Sequence, residues 1–177
     1  MFKETKLPGV FLVDNFKAVD NRGVFVKTFH QQDFASQGLD KPFKESYYSK
    51  SVKNVVRGMH FQLPPFDHEK LVYVTDGEVE DVVLDLRTES PTFKQFVSLR
   101  LQAFGSSVFI PKGCAHGFLT LSDSATVVYN VTTVYNQSSD AGIFWNSFGF
   151  NWPVDIPTLS LRDQSFPALS EFRSPFL

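Results

Sequence analysis

KLVYVTDGEVEDVVLDL, from Lys70 to Leu86, reads as two β-strands folded about a tight turn. Asp76-Gly77 favours the positive φ of a two-residue hairpin, and Val, Tyr and Thr on either side suit a pleated surface. Working outward, Val24–Phe29, Val55–Phe61, Phe96–Leu101, Val108–Ile110 and Ala125–Tyr135 repeat this chemistry as further short strands. Ser90-Pro91 and Ile110-Pro111-Lys112-Gly113 supply turns between them. Such regular spacing without long helical periods predicts a mainly β, barrel-like sandwich or jelly roll, formed as a single domain over residues 1–177. Short helices are expected near Gln31–Ser36 and Pro167–Phe172.

Composition narrows the functional classes. Hydrophobic residues at 42% and charged residues at 20% suit a folded domain and exclude a disordered chain. A net charge of −2 gives no general basic surface for nucleic acid. No run approaches the roughly 18 apolar residues of a membrane span, and the polar N-terminus lacks the apolar core of a secretory signal. Cys114 is the single cysteine, so no internal disulfide forms and a reducing, cytoplasmic setting is expected. Most of the 20 phenylalanines are expected in the core, with a few left to stack on a flat ligand.

A barrel gathers inward side chains at its mouth, so ionisable residues inside apolar strands are the ones to follow. VVRGMHFQLPPFDHEKLVYV, Val55 to Val74, places Arg57, His60, His68, Glu69 and Lys70 close together. A lone strand histidine is more often structural than reactive, and His68-Glu69 after Pro64-Pro65 reads as a solvated loop. Strict alternation puts Arg57 and His60 on opposite faces, so a bulge is required if both meet one ligand. IPKGCAHGFLTL introduces His116, ATVVYNVTTVYN introduces Tyr129 and Tyr135, and LSLRDQ introduces Asp163, which could orient an imidazole. The histidines His30, His60, His68 and His116 form no H-x-H pair, and no second helical histidine follows His68-Glu69. Metal binding is therefore unsupported. Cys114 reads as an inert thiol, and no phosphate-binding loop or dinucleotide fingerprint occurs.

Seven ordered motifs carry a more specific signal: DNRGVFVKTF, VVRGMHFQLPP, KLVYVTDGEVEDVVLDLRTESPTF, IPKGCAHGFLTL, VVYNVTTVYN, DAGIFW and WP…LSLRD. Together, from about Val10 to Asp163, they resemble the dTDP-4-dehydrorhamnose 3,5-epimerase family. The resemblance implies a cupin-type jelly roll, a homodimer, and epimerisation of a nucleotide-linked 4-keto sugar without metal or organic cofactor. It makes His60 the base, Asp163 its orienting partner, Lys70 the stabiliser of charge on the C4 oxygen, and Tyr129 the proton donor. Arg22, Arg57 and His116 match substrate-holding positions, and Phe25, Lys27, Glu45, Tyr47 and Tyr135 complete the expected substrate-binding set. In the family, D-x-R-G residues reach the partner's site by strand exchange; the sequence leaves open which subunit Arg22 serves.

Three positions depart from the family pattern. Lys27 replaces a glutamate, Glu45 a glutamine and Tyr47 an asparagine. A carboxylate acceptor beside a lysine donor suits cytosine as well as thymine, so a CDP-linked or other non-dTDP sugar stands as an alternative substrate. Inversion at C3, at C5 or at both stays open. The competing readings are a 3,4-ketoisomerase of the same barrel class, a non-catalytic sugar-nucleotide-binding module and a metal-dependent oxygenase.

Overall fold

A computed structural model describes residues 1–177. Its strands are β1 (Phe2–Glu4), β2 (Phe11–Val13), β3 (Phe16–Asp20), β4 (Gly23–Lys27), β5 (Glu45–Val52), β6 (Val56–Gln62), β7 (Lys70–Asp76), β8 (Glu78–Asp85), β9 (Phe96–Gln102), β10 (Ser107–Ile110), β11 (Cys114–Thr120), β12 (Ser124–Val131) and β13 (Asp140–Gly142). Two short helices, α1 (Gln31–Ala35) and α2 (Leu161–Gln164), flank them. A six-stranded sheet in the order β1-β2-β10-β7-β12-β5 faces a five-stranded sheet in the order β13-β6-β11-β8-β9. The β3–β4 hairpin pairs with neither. This mainly β jelly roll is the predicted class. No helix is long and apolar enough to cross a membrane.

Period-two patterning builds the sandwich. Along β12, Ala125, Val127, Tyr129 and Val131 alternate with half-exposed neighbours, so one face enters the core and the other does not. Val72, Val74, Val108 and Val127 from one sheet meet Val79, Val83, Leu101 and Phe118 from the other. The outer face of the five-stranded sheet is covered by Trp145, Phe148, Trp152 and Phe176 from the C-terminal third. The outer face of the six-stranded sheet is covered by Phe34 of α1, against Leu71 and Phe109. Aromatic residues thus seal both faces, consistent with the core role expected for most phenylalanines.

All seven expected strands form, though β4 stops at Lys27 short of the expected Phe29, and a larger correction falls on β12. β12 stops at Val131 instead of running to Tyr135, because the main chain beyond it turns to side chains of other elements for its hydrogen bonds. The expected helix at Pro167–Phe172 is absent. That segment makes only a turn, with Glu171 N donating to the Ala168 carbonyl, and it buries Leu169 on the sheet. The helix forms earlier, at α2, where Ser160 Oγ accepts the Asp163 N–H at 3.0 Å as an N-cap. The expected Lys70–Leu86 hairpin does not form, because β7 finds its partners in β10 and β12, and β8 in β11 and β9. The turn at Gly77 (φ +78°, where a Cβ would lie 2.0 Å from the Ser124 carbonyl oxygen) instead carries the chain from β7 in the six-stranded sheet to β8 in the five-stranded sheet.

The required bulge is present. His116 of β11 pairs with His60 of β6, but Phe118 pairs with Arg57, so three residues of β6 span two of β11. Gly58 is the extra residue, and it turns Arg57 and His60 toward the same side. Its φ is +152°, and a Cβ there would sit 2.6 Å from Gly117 Cα. Only glycine fits this crossing.

Candidate active site

A cavity of about 290 Å³ opens between the two sheets, lined in part by Glu45, Tyr47, His60, Lys70, Tyr135 and Arg162. The sheets contribute different chemistry. β6 delivers His60 from one wall; β7 and β5 deliver Lys70 and Tyr47 from the other. A second opening, lined by Arg57, His60, Ser160, Arg162 and Asp163, adjoins it through His60 and Arg162.

His60 Nε2 lies 2.8 Å from Asp163 Oδ1, whose other oxygen accepts the Gly58 N–H at 3.2 Å. A carboxylate acceptor fixes the proton on Nε2 and leaves Nδ1 with a free lone pair. Burial draws the imidazole below its ordinary value of 6.5, and the Asp163 contact opposes this only in part. Burial pushes the Asp163 carboxyl up, but bonds from His60, Gly58 and Ser160 outweigh it and hold the group below the usual carboxylate range. The pair is therefore a neutral imidazole on an ionised carboxylate, the state of a general base.

Lys70 is buried, and its Nζ donates to the His60 carbonyl at 3.1 Å. Burial pulls its ammonium down to about 8, with Asp140 and Asp81 pulling the other way. Tyr129 lies on the same sheet, in register with Val72 and Tyr47. Tyr47 stacks on it at a centroid distance of 4.8 Å and 19°, and His116 meets it edge-on at 6.0 Å. Tyr47 belongs to the cavity wall, whereas Tyr129 is buried beneath it. Burial raises the Tyr129 phenol far above its ordinary range and the Tyr47 phenol to about 12.

The remaining expected residues divide into four groups. Tyr135 and Glu45 stand together at the cavity, with the Tyr135 N–H donating to Glu45 Oε2 at 2.7 Å. His116 is buried away from the cavity, its Nε2 2.7 Å from Asp81 Oδ2. Arg57 Nε donates to Ser51 Oγ at 2.9 Å at the second opening. Arg22, Phe25 and Lys27 line neither opening in their own chain. They ride on the β3–β4 hairpin, where Arg22 pairs with Asp20 at 2.6 Å and Lys27 lies over the Phe16 ring. Lys27 and Glu45 form no ion pair within the chain.

One expectation is overturned and several residues were overlooked. His68 is no solvated loop residue. It lines the cavity, its Nδ1 is 3.2 Å from Gln62 Nε2, and burial drops its pKa to about 3. Its place two residues before Lys70, the spacing of one strand face, was the available signal. Gln62, Asp140 and Arg162 also line the cavity, Arg162 pairing with Asp140 at 2.7 Å and lying over Phe166. Asp140 and Arg162 stood inside quoted motifs, DAGIFW and LSLRD, without being singled out.

Comparison with known proteins gives consistent relatives. The family model described as dTDP-4-dehydrorhamnose 3,5-epimerase matches residues 4–171. The enzyme of that name from Salmonella typhimurium is 40% identical over 173 residues, covering 95% of this chain and 94% of the relative. A crystal structure of the Bacillus anthracis enzyme of that name, with TDP and PPi bound, superposes with a TM-score of 0.92 at 35% identity, covering 96% and 99% of the two chains. The dTDP-6-deoxy-D-glucose-3,5-epimerase of Legionella pneumophila, in complex with dTDP-4-keto-L-rhamnose, superposes with a TM-score of 0.95 at 31% identity, covering 100% and 98%.

Proposed function

The chain belongs to the dTDP-4-dehydrorhamnose 3,5-epimerase family, and from that premise we propose that its cavity inverts C3, C5 or both of a dTDP-linked 4-keto-6-deoxyhexose. The observation that carries the reading is the buried His60–Asp163 pair opening on the same cavity as Lys70. A 4-keto group acidifies the hydrogens on C3 and C5. His60 Nδ1 takes one of these protons, and the C–H electron pair becomes an enolate with its charge on the C4 oxygen. The Lys70 ammonium stabilises that charge in a site shielded from water. Tyr129, once Tyr47 moves off its ring, gives its phenolic proton to the same carbon from the other side, and solvent restores both groups. Base and acid on opposite sheets suit inversion, which needs them on opposite faces of the ring.

Arg57 and Arg22 suit the diphosphate, since a guanidinium makes bidentate charge-assisted bonds. Glu45 accepts a hydrogen bond from the base while Tyr135 and Phe25 offer flat surfaces for it. His116 supports the substrate end through Tyr129. Arg22, Phe25 and Lys27 reach the site of a second copy in a homodimer. Two observations support this: the β3–β4 hairpin pairs with no sheet of its own chain, and Phe16, Val19 and Phe25 on it are exposed. β5, which carries Glu45 and Tyr47, is a sheet edge with free main-chain groups that such a hairpin would satisfy. Residues 1–177 act as one domain in the cytoplasm, with neither nucleic acid nor membrane as a partner.

The test is incubation of the metal-stripped protein with dTDP- and CDP-linked 4-keto-6-deoxyglucose in deuterated water, beside His60→Ala. Label entering C3 or C5 only with the wild type supports the reading and names the carbon and nucleotide. A second reading, a CDP-linked substrate, is favoured by Glu45 standing free of Lys27 at the cavity. Calorimetric preference for dTDP over CDP removes it.

A further inference from the structure

Beyond the groups that meet the substrate, the cavity wall contains a side chain that ties the segment carrying Tyr135 to the Phe66–His68 loop. Gln62 ends β6, two residues after His60 and on the same face, and is buried. Its Oε1 accepts the Asn136 N–H at 2.6 Å. Its Nε2 donates to the Phe66 carbonyl at 2.7 Å and faces His68 Nδ1 at 3.2 Å and the Val134 carbonyl at 3.4 Å. The residues before and after Tyr135 are thus held by one amide, and Tyr135 itself by Glu45.

The segment has no ladder to replace these bonds. β12 ends at Val131, and the next main-chain contacts are Thr132 N to the Glu69 carbonyl and Ser139 N to the Asn136 carbonyl. The Val134 carbonyl and the Tyr135 and Asn136 N–H groups depend on side chains for their partners. Tyr135 is 58% exposed, so its own ring has little packing to hold it. His68 strengthens the arrangement: kept neutral by burial, its ring nitrogen stays an acceptor toward Gln62 over the working pH range.

We propose that Gln62 is a positioning residue that holds the Val134–Asn136 segment in its ligand-ready conformation and so presents the Tyr135 ring to the nucleobase. This rests on the proposed reading of Tyr135 as a base-stacking surface. Pre-organisation of this kind raises affinity by removing the ordering cost from the binding step. It touches neither the sugar ring nor His60, so the proton-transfer step is left to other groups.

The experiment is a double-mutant cycle on dTDP affinity by calorimetry, with steady-state kinetics on the 4-keto substrate. Gln62→Met keeps the volume and removes every bond. The expected result is dTDP binding weakened about tenfold and KM raised similarly, with kcat changed less than about threefold. In the Tyr135→Ala background the same change adds nothing further. If Tyr135→Ala weakens binding while Gln62→Met does not, or if the two losses multiply, the proposal is overturned and the reading of Tyr135 survives. If Tyr135→Ala leaves dTDP affinity intact, the stacking reading falls and the proposal with it. Gln62→Glu covers the case of a poorly folding methionine variant. It keeps the acceptor for Asn136 N–H, so it should lose less affinity than Tyr135→Ala, and an equal or greater loss also overturns the proposal.

Discussion

At the scale of the residue, the His60–Asp163–Lys70 group sets a pH window. Burial holds His60 below 6.5 and Lys70 at about 8. A neutral base and a charged ammonium coexist between them. We expect kcat/KM to rise through an acid limb below pH 6.5 and to fall near pH 8, measured as a full pH–rate profile. An alkaline limb near pH 10 would remove Lys70 from the charge-stabilising role. Asp163→Asn replaces the acceptor on His60 Nε2 with a group that can donate, which favours the wrong tautomer. A loss in kcat on the order of 10²–10⁴ with little change in dTDP affinity is expected. His68 bears on stability. With its folded pKa at about 3, the native state stays neutral while the unfolded chain takes a proton below pH 6.5. Stability therefore falls as pH drops from 6.5 toward 3. His68→Asn should flatten that part of the urea-midpoint curve between pH 7 and pH 5, and an unchanged slope would contradict it.

At the scale of the element, the β6 bulge matters most, because one inserted residue decides which side chains share a face. Without Gly58, Arg57 would turn from the ligand side, and Asp163 would lose the N–H that helps hold it. Gly58→Ala sets a Cβ against Gly117 Cα at 2.6 Å. The expected cost is about 2 kcal/mol, or a Tm lower by roughly 4–8 °C, together with reduced kcat. Calorimetric melting beside the activity assay checks it, and a variant with unchanged Tm and kcat would mean that the crossing relaxes without strain. The segment after β12 teaches a related lesson. Its Val and Tyr content reads as strand, yet no neighbouring strand lies beside it, and its main chain goes to Gln62 and Glu45 instead.

At the scale of the whole molecule, the question is whether one chain holds a complete site. The hairpin bearing Arg22, Phe25 and Lys27 stands apart from its own cavity with its apolar residues in solvent. If it completes a second copy's site, mixing inactive Arg22→Ala with inactive His60→Ala should restore activity. Each mixed dimer holds one intact site, so about a quarter of wild-type turnover is expected after full subunit exchange. Absence of recovery in a mixture shown by mass spectrometry to contain mixed dimers would confine Arg22 to its own subunit. Light scattering of the wild type and of Phe25→Glu supplies the assembly state directly.

The amino-acid sequence by itself determined the fold class, the turn at Asp76-Gly77 and most strand positions, because period-two patterning and Asp-Gly turn chemistry are local properties. That the strands on either side of that turn enter different sheets instead of pairing was decided by tertiary structure. Its motifs also determined the family and the pairing of His60 with Asp163, residues 103 positions apart that meet at 2.8 Å. Only the tertiary structure decided that Gly58 is the bulged residue, that Tyr47 covers Tyr129, that His68 and Gln62 form one buried amide–imidazole contact, and that His116 turns to Asp81. These outcomes depend on which strands become neighbours and on what is left for a buried polar atom to bond with. That is settled by long-range register and burial, which no short window of sequence contains.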